Sequence, residues 1–305
     1  MAVAARVSTK QFFTPEEWAP LSARSSWKGL ALVAHGWAVI GAATAITIVW
    51  PITLPLAVVI IGARQLGLAI LLHDAAHGAL HPNPRINDWV AEWLCGGGLV
   101  AYRNYHLQHH KYAQQAEDPD LGLSAPFPIT HASLRRKMVR DLTGQTWFKQ
   151  RFGRLLTRLK ARKEPVLAVL ADEVRRQSRW LIFNGLAIAG FAAAGVWWGW
   201  FALWLLPRAT WFQLVTRFRN IAEHALVAKD EPDPLRHART THANWLERAV
   251  IAPYYVNYHC EHHMFMHAPC WSLPRMNRLL KTKGVLARMR TSSGYVEVLS
   301  AAAGA

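Results

Sequence analysis

Residues 29–50 are a run of twenty-two residues with one histidine and no formal charge. In a bilayer every backbone polar group must be satisfied within the segment, so such a run crosses as a helix. At about 1.5 Å per residue it is long enough for a hydrocarbon core of roughly 30 Å. Only Pro51, Ile52 and Thr53 separate it from a second apolar run over 54–72, which predicts a hairpin. Residues 180–196 and 198–216 repeat the arrangement, turning between Gly195 and Gly199. Neither turn carries Lys or Arg, whereas 73–179 carries many. The positive-inside rule then places that long segment and both termini in the cytoplasm, in the inner membrane of a bacterium. Trp197, Trp198 and Trp200 fit an aromatic belt at the far interface. The predicted fold is an all-α integral membrane protein, four transmembrane helices in two hairpins under a cytoplasmic helical cap. It reads as one domain: a cytoplasmic N-terminus over 1–28, the first hairpin over 29–72, and cap over 73–179. The second hairpin takes 180–216 and further cap 217–305.

Composition excludes several alternatives. The formal charge of +16 would suit nucleic acid, but no zinc-finger, RNA-recognition or helix-turn-helix signature accompanies it. Charged residues are only 18% of the chain and fall in blocks, as expected for basic cytoplasmic parts of a membrane protein. Cys95, Cys260 and Cys270 are odd in number and scattered without CxxC, so no disulfide framework is expected. Residues 1–28 lack the apolar core and small-residue cleavage site of a signal peptide.

The histidines carry the chemistry. His73 and His77 form HxxxH, His106, His109 and His110 form HxxHH, and His259, His262 and His263 form a second HxxHH. Asn220 and His224 form NxxxH, and together the clusters hold nine of fifteen histidines at the ends of apolar segments. Residues three and four apart share one helix face, so HxxHH is expected to aim two or three imidazoles at one point. Neutral imidazole binds Fe, Zn, Cu and Ni, and nine ligands exceed one tetrahedral zinc. Two metal ions with four or five ligands each fit the count. The soluble di-iron pattern of Glu-x-x-His does not occur in the chain. Asn220, one turn from His224, is expected to hold a metal-bound water rather than ligate directly. Asp118 and Asp120, in the acidic turn after the second cluster, are candidates to fix the tautomer of a ligating histidine. Glu117 is read as solvated. His35, His81, His131, His237, His242 and His267 are assigned to hydrogen bonding, with His81 the nearest to joining the first cluster.

Three further stretches remain. Arg64 and Arg208 interrupt the second and fourth apolar runs at similar depth, which suggests a shared polar pocket. Residues 89–102, with Gly96, Gly97 and Gly98, are too short and glycine-rich to span and are expected in the interface. The basic segment 134–179 is predicted helical and amphipathic, suited to anionic lipid or an anionic acyl carrier, or simply solvated.

With HDAAH, HLQHH, NIAEH and HCEHH in this order, residues 60–280 resemble the membrane fatty acid desaturases. The resemblance implies a mushroom-shaped four-helix protein whose cap holds two iron ions, Fe2+ in the resting reduced state. It also implies O2 as co-substrate and removal of hydrogen from an unactivated C–H of a lipid acyl chain. The nine ligands would be His73, His77, His106, His109, His110, His224, His259, His262 and His263. The third box begins with His, unlike front-end desaturases with a fused cytochrome domain. No haem, flavin or iron–sulfur motif occurs, so electrons are expected from a separate ferredoxin or cytochrome. Histidine boxes do not separate dehydrogenation from oxygen insertion, and the Glu117–Asp120 run also resembles the carotenoid ketolases and hydroxylases. A non-catalytic metal transporter would need polar groups strung across the bilayer, whereas here they gather on one side.

Overall fold

The computed structural model describes residues 4–124 and 126–304; the first three residues of the predicted cytoplasmic N-terminus lie outside them. The chain is mostly helical, as expected. Pro15–Ser22 (α1) is followed by Lys28–Val49 (α2), a short turn at Pro51–Thr53, and Leu54–Ala76 (α3). Among the described residues these two apolar helices, Lys28–Val49 and Pro51–Ala76, are the ones long and apolar enough to cross a membrane.

The expected interfacial segment over 89–102 is two helices. Pro84–Leu94 (α4) is capped by the Asn83 side chain, which accepts from Arg85 N at 2.9 Å. Leu99–Lys111 (α5) then carries the second histidine cluster. The break is made by Gly96, Gly97 and Gly98, all at positive φ (120°, 76° and 75°), a run that residues with a Cβ adopt only at a cost. Glu92 closes the loop by accepting from Gly98 N and Leu99 N at 3.0 and 2.9 Å.

The basic segment forms three helices, His131–Leu142 (α6), Gln145–Ala161 (α7) and Val166–Arg176 (α8), separated by short turns. The second expected hairpin is not a pair of unbroken spans. Ser178–Ala193 (α9) has sixteen residues, and the return begins with Trp200–Leu205 in π-helical bonding, then Leu206–Ala209. Thr210, at φ −119° and ψ −85°, separates this from Trp211–His224 (α10). Pro207 has no N–H to give, which loosens the helical ladder at this point. Beyond His224, Arg239–Thr241 (β1) pairs in parallel with Arg290–Ser292 (β2). Between and beyond them lie Trp245–Val250 (α11), His259–Met264 (α12), Leu273–Thr282 (α13) and Tyr295–Ala302 (α14).

The chain divides into two compact units. One comprises 1–37, 63–134 and 215–305 and holds all four histidine clusters. The other comprises 38–62 and 135–214. Arg64 and Arg208 have separate partners. Arg64 donates to the Ala249 carbonyl and lies 5.6 Å from the Tyr254 ring centre, whereas Arg208 stacks 3.7 Å from that of Phe212.

Within the histidine-bearing unit, the helix ends that carry the clusters are pinned by charged groups. Arg103 donates to the carbonyls of Ala76 and Ala75 at 3.0 and 3.1 Å, closing the end of α3, and pairs with Asp88 at 2.6 Å. Arg239 does the same for α10, donating to Ala222 and Ala225 at 2.9 and 2.8 Å. These carbonyls have no partner inside their own helix, so a guanidinium satisfies them and favours the negative end of the dipole. Ahead of α12, Tyr254 and Tyr255 sit at φ 54° and 65°, a left-handed conformation unfavourable for tyrosine. Tyr254 is held there by donating its hydroxyl to the Leu32 carbonyl at 3.0 Å and by packing on Gly67, where an added Cβ would lie 2.7 Å from the ring.

Candidate metal centre

The nine clustered histidines converge. Atoms of His73, His77, His106, His110 and His262 that could bind a metal all lie within 4.8 Å of one another. His109, His224 and His263 form a second such group, and His224 joins His259 and Glu223 in a third. Because the last two share His224, the arrangement is two pockets of five and four imidazoles, side by side. Nε2 of His110 lies 3.0 Å from Nε2 of both His106 and His262. Nε2 of His224 lies 2.9 Å from that of His259, and Nε2 of His109 lies 3.3 Å from that of His263. All nine are buried except His263, which is half-buried.

The expectation that each HxxHH aims two or three imidazoles at one point narrows here to two, the third turning to the other pocket. Adjacent residues on an α-helix point about 100° apart, so the two members of an HH pair cannot share a target. His106 and His110, four apart, serve the five-membered pocket, and His109 serves the other. In α12 the roles swap: His259 and His263 face the four-membered pocket and His262 the five-membered one.

The tautomers are set from behind. Asp118 accepts from His109 Nδ1 at 2.8 Å, and its two oxygens also accept from Asp120 N and Gln114 N at 2.8 and 2.9 Å. With its proton on Nδ1, His109 turns the Nε2 lone pair into the pocket. His224 Nδ1 lies 3.3 Å from the His237 carbonyl, which assigns it the same tautomer. Asp120 lies 3.7 Å from His109 Nδ1 but accepts the Tyr105 hydroxyl, so Asp118 is the nearer partner. Asn220 is half-buried, belongs to neither pocket, and its side chain makes no hydrogen bond among the described residues. His81 accepts from Asn83 N at 3.0 Å, and His267 is exposed with its ring 6.4 Å from that of His77; both stand outside the pockets.

Burial, reinforced by neighbouring imidazoles, holds His77, His106, His110, His259, His262 and His263 well below the usual histidine range. For His224 burial does the same, against the opposing pull of the His237 carbonyl. His109 differs: burial depresses it, but Asp118 and the more distant carboxylates outweigh burial and raise it. The set is therefore neutral around pH 7 except where a carboxylate is supplied, and neutral imidazole is the metal-binding form.

These residues fit metal ions on their own terms. Both ring nitrogens of His73 and of His77 are buried without a hydrogen-bond partner, as is Nδ1 of His259. Each such atom left unmet costs about 1–3 kcal/mol. Lone pairs facing one another at these separations are stabilised by a cation between them. An all-imidazole donor set suits Fe, Zn, Cu or Ni.

Sequence reasoning missed three contributors. Glu223 is buried with Oε1 3.5 Å from His259 Nδ1, both atoms lacking a hydrogen bond, while Arg219 holds the carboxylate at 2.9 Å. Burial pushes Glu223 up to about 7 despite Arg219. The signal was present as an Arg-x-x-x-Glu pair directly before His224. Glu261, between box-three histidines, is buried and accepts from Thr240 and Asn277, which locks α12 to β1 and α13. Gln114, at φ 64°, faces both His224 and the His237 carbonyl; nothing in the local sequence marks it.

Residues 48–292 match the family model described as fatty acid desaturase. The chain is 28% identical over 282 residues to dihydrorhizobitoxine desaturase of Bradyrhizobium elkanii, covering 87% of this chain and 79% of that protein. It is 27% identical over 223 residues to the beta-carotene ketolase of Paracoccus sp. (strain PC1), covering 70% of this chain and 75% of that protein. A match over most of the chain, with every histidine box inside it, means that the chain belongs to the fatty acid desaturase family.

Proposed function

We propose that the protein is an O2-dependent, membrane-embedded di-iron oxidoreductase that introduces a double bond into the fatty acyl chain of a lipid. The observation that carries this is the pair of adjoining pockets of five and four imidazoles, all buried but the half-buried His263. His73, His77, His106, His110 and His262 would hold one iron, and His109, His224, His259 and His263 the other. Two Fe2+ ions in these pockets would supply O2 reduction and removal of hydrogen from an unactivated C–H. The chain does the rest. Asp118 and the His237 carbonyl keep Nδ1–H of His109 and His224 pointing away from the pockets, so that Nε2 stays free for a ligand bond. Asn220, one turn before His224 on α10, is assigned a hydrogen bond to a metal-bound water. Burial of the imidazoles excludes bulk water, which protects a reactive oxidant from side reactions.

Desaturation removes two hydrogens from neighbouring carbons and, with O2, two electrons and two protons, yields an alkene and two waters. The electrons come from a separate ferredoxin or cytochrome-type donor. The ketolase relative supports a second reading, in which the same centre inserts oxygen into a C–H bond of a carotenoid or lipid. That reaction consumes the same O2, electrons and protons and returns one water. In either case the membrane reading is four spans in two hairpins, with histidine boxes and both termini on the cytoplasmic side. The parts are as drawn from the sequence: 1–28, 29–72, 73–179, 180–216 and 217–305.

The deciding experiment expresses the protein in a bacterium that makes β-carotene, together with a ferredoxin system, and analyses lipids and pigments by mass spectrometry. Acyl chains lighter by two hydrogens establish the desaturase. Pigments or acyl chains heavier by one oxygen move the protein to the oxygen-inserting branch. Purified protein without iron, and no product of either kind, would sink both.

A further inference from the structure

Helix α8, Val166–Arg176, has one face packed against the protein and, beside it, an uncovered apolar stripe. Val169, Glu173 and Gln177, spaced i, i+4, i+8, are buried against the protein. Beside them Val166, Leu167, Leu170, Ala171 and Val174 fall at i, i+1, i+4, i+5 and i+8 and form an apolar stripe. That stripe is uncovered: Leu167 is 80% exposed, Val166 59% and Val174 58%. A solvent-facing stripe on a cytoplasmic helix is ordinarily polar.

The surroundings identify what covers it. Residues 135–179 hold fourteen Lys and Arg against four Asp and Glu, most of the net positive charge of the chain. Asp172 and Glu173 are already engaged, by Arg158 and by Arg176. Lys160, Arg162, Lys163 and Arg175 are exposed and form no ion pair among the described residues. Basic groups flanking an uncovered apolar stripe match an anionic lipid surface, with the stripe among acyl chains and the cations at headgroup level. The stripe also runs toward α9, whose exposed Leu181, Ile182 and Leu186 are apolar in turn. At the junction Arg151 of α7 donates to Gln177 at 2.8 Å and lies 4.3 Å from the Trp180 ring, the interfacial pairing of a cation and an aromatic.

We propose that α8 is not a solvated helix but lies in the lipid–water interface on the cytoplasmic side, with Val166, Leu167, Leu170 and Val174 immersed among acyl chains. Lys160, Arg162, Lys163 and Arg175 contact anionic headgroups. This rests on the reading of the protein as membrane-embedded.

The test uses the full-length protein in lipid nanodiscs with a spin label at Leu167→Cys. The three native cysteines are buried, so the label goes to the introduced thiol. Collision rates with O2, which concentrates in lipid, are compared with those of a water-soluble nickel complex. The expected result is high O2 and low nickel accessibility, with the label deeper in phosphatidylglycerol than in phosphatidylcholine. High nickel accessibility would mean a solvated helix, and low accessibility to both would mean a protein or a second copy on the stripe; either overturns the proposal. Equal depth in the two lipids overturns the headgroup contact. A second label at Leu186→Cys, in the predicted third span, separates the inference from the reading beneath it. If Leu186 is lipid-exposed and Leu167 is not, the interfacial helix fails while the membrane reading stands. If neither is, the membrane reading itself fails.

Discussion

Asp118 accepts three hydrogen bonds, one from a pocket imidazole and two from backbone N–H groups, so it fixes both its own position and that of His109. An amide in its place would turn an N–H toward one of those donors. Asp118→Asn is therefore expected to lower metal affinity about 10–100-fold, the usual range for outer partners of a ligating histidine. Metal content after equilibrium dialysis at graded free iron measures this, and an unchanged circular dichroism spectrum would show that the fold is intact. His224 makes a different case because two groups of close ligand atoms include it. His224→Ala should remove iron from the four-membered pocket and abolish turnover. Full iron and activity in that variant would show the ligand assignment to be wrong. Asp118 was readable in the sequence as an acid soon after an HxxHH. Glu223 was equally visible beside His224, but only the fold reveals that it faces the Nδ1 of a histidine thirty-six positions further on.

At the scale of elements, the box helices are placed by contacts the sequence does not advertise. Tyr254 reaches its left-handed conformation because its ring fits against Gly67 and its hydroxyl finds the Leu32 carbonyl. Gly67→Ala would place a methyl 2.7 Å from that ring, and overpacking of this kind costs about 1–3 kcal/mol. The expected outcome is a lower Tm in detergent with partial loss of bound metal; an unchanged Tm would mean that the loop adjusts freely. Apolar length made α2 and α3 legible, and histidine spacing made the pockets legible, because both depend on local periodicity alone. The return of the second pair was not: Pro207 and the break at Thr210 divide a run whose hydropathy reads as continuous. The β1–β2 pair was likewise hidden, since three-residue strands nearly fifty residues apart carry no periodic signal. Arg239 and Arg103 read as ordinary basic residues and act as caps only because the fold brings distant helix ends to them.

For the whole molecule, metal is expected to act as part of the fold. Nine imidazoles brought together, two of them (His73 and His77) with both nitrogens unmet, are held at a cost that bound ions would offset. A ligand that binds only the native state stabilises it by about 2.7 kcal/mol when its free concentration is one hundred times Kd. Treatment with a chelator should therefore lower Tm, and restoring Fe2+ should raise it again in proportion to the logarithm of free iron. A Tm indifferent to chelation would argue against resident metal.

The division of each HH pair between the two pockets has a thermodynamic consequence. His109 and His110 share one stretch of backbone, as do His262 and His263, yet each member answers to a different pocket. An ion that fixes His110 and His262 also settles the backbone that presents His109 and His263, so the second ion meets a site already ordered. Linkage of this kind makes filling concerted, and by reciprocity emptying is concerted as well. Titration of the metal-free protein with Fe2+ should then give a sigmoidal isotherm, with singly loaded molecules scarce in native mass spectra. Under the proposed di-iron reading, a centre built this way would be present whole or absent, sparing the cell a half-assembled site that could reduce oxygen without a second metal to complete the reaction.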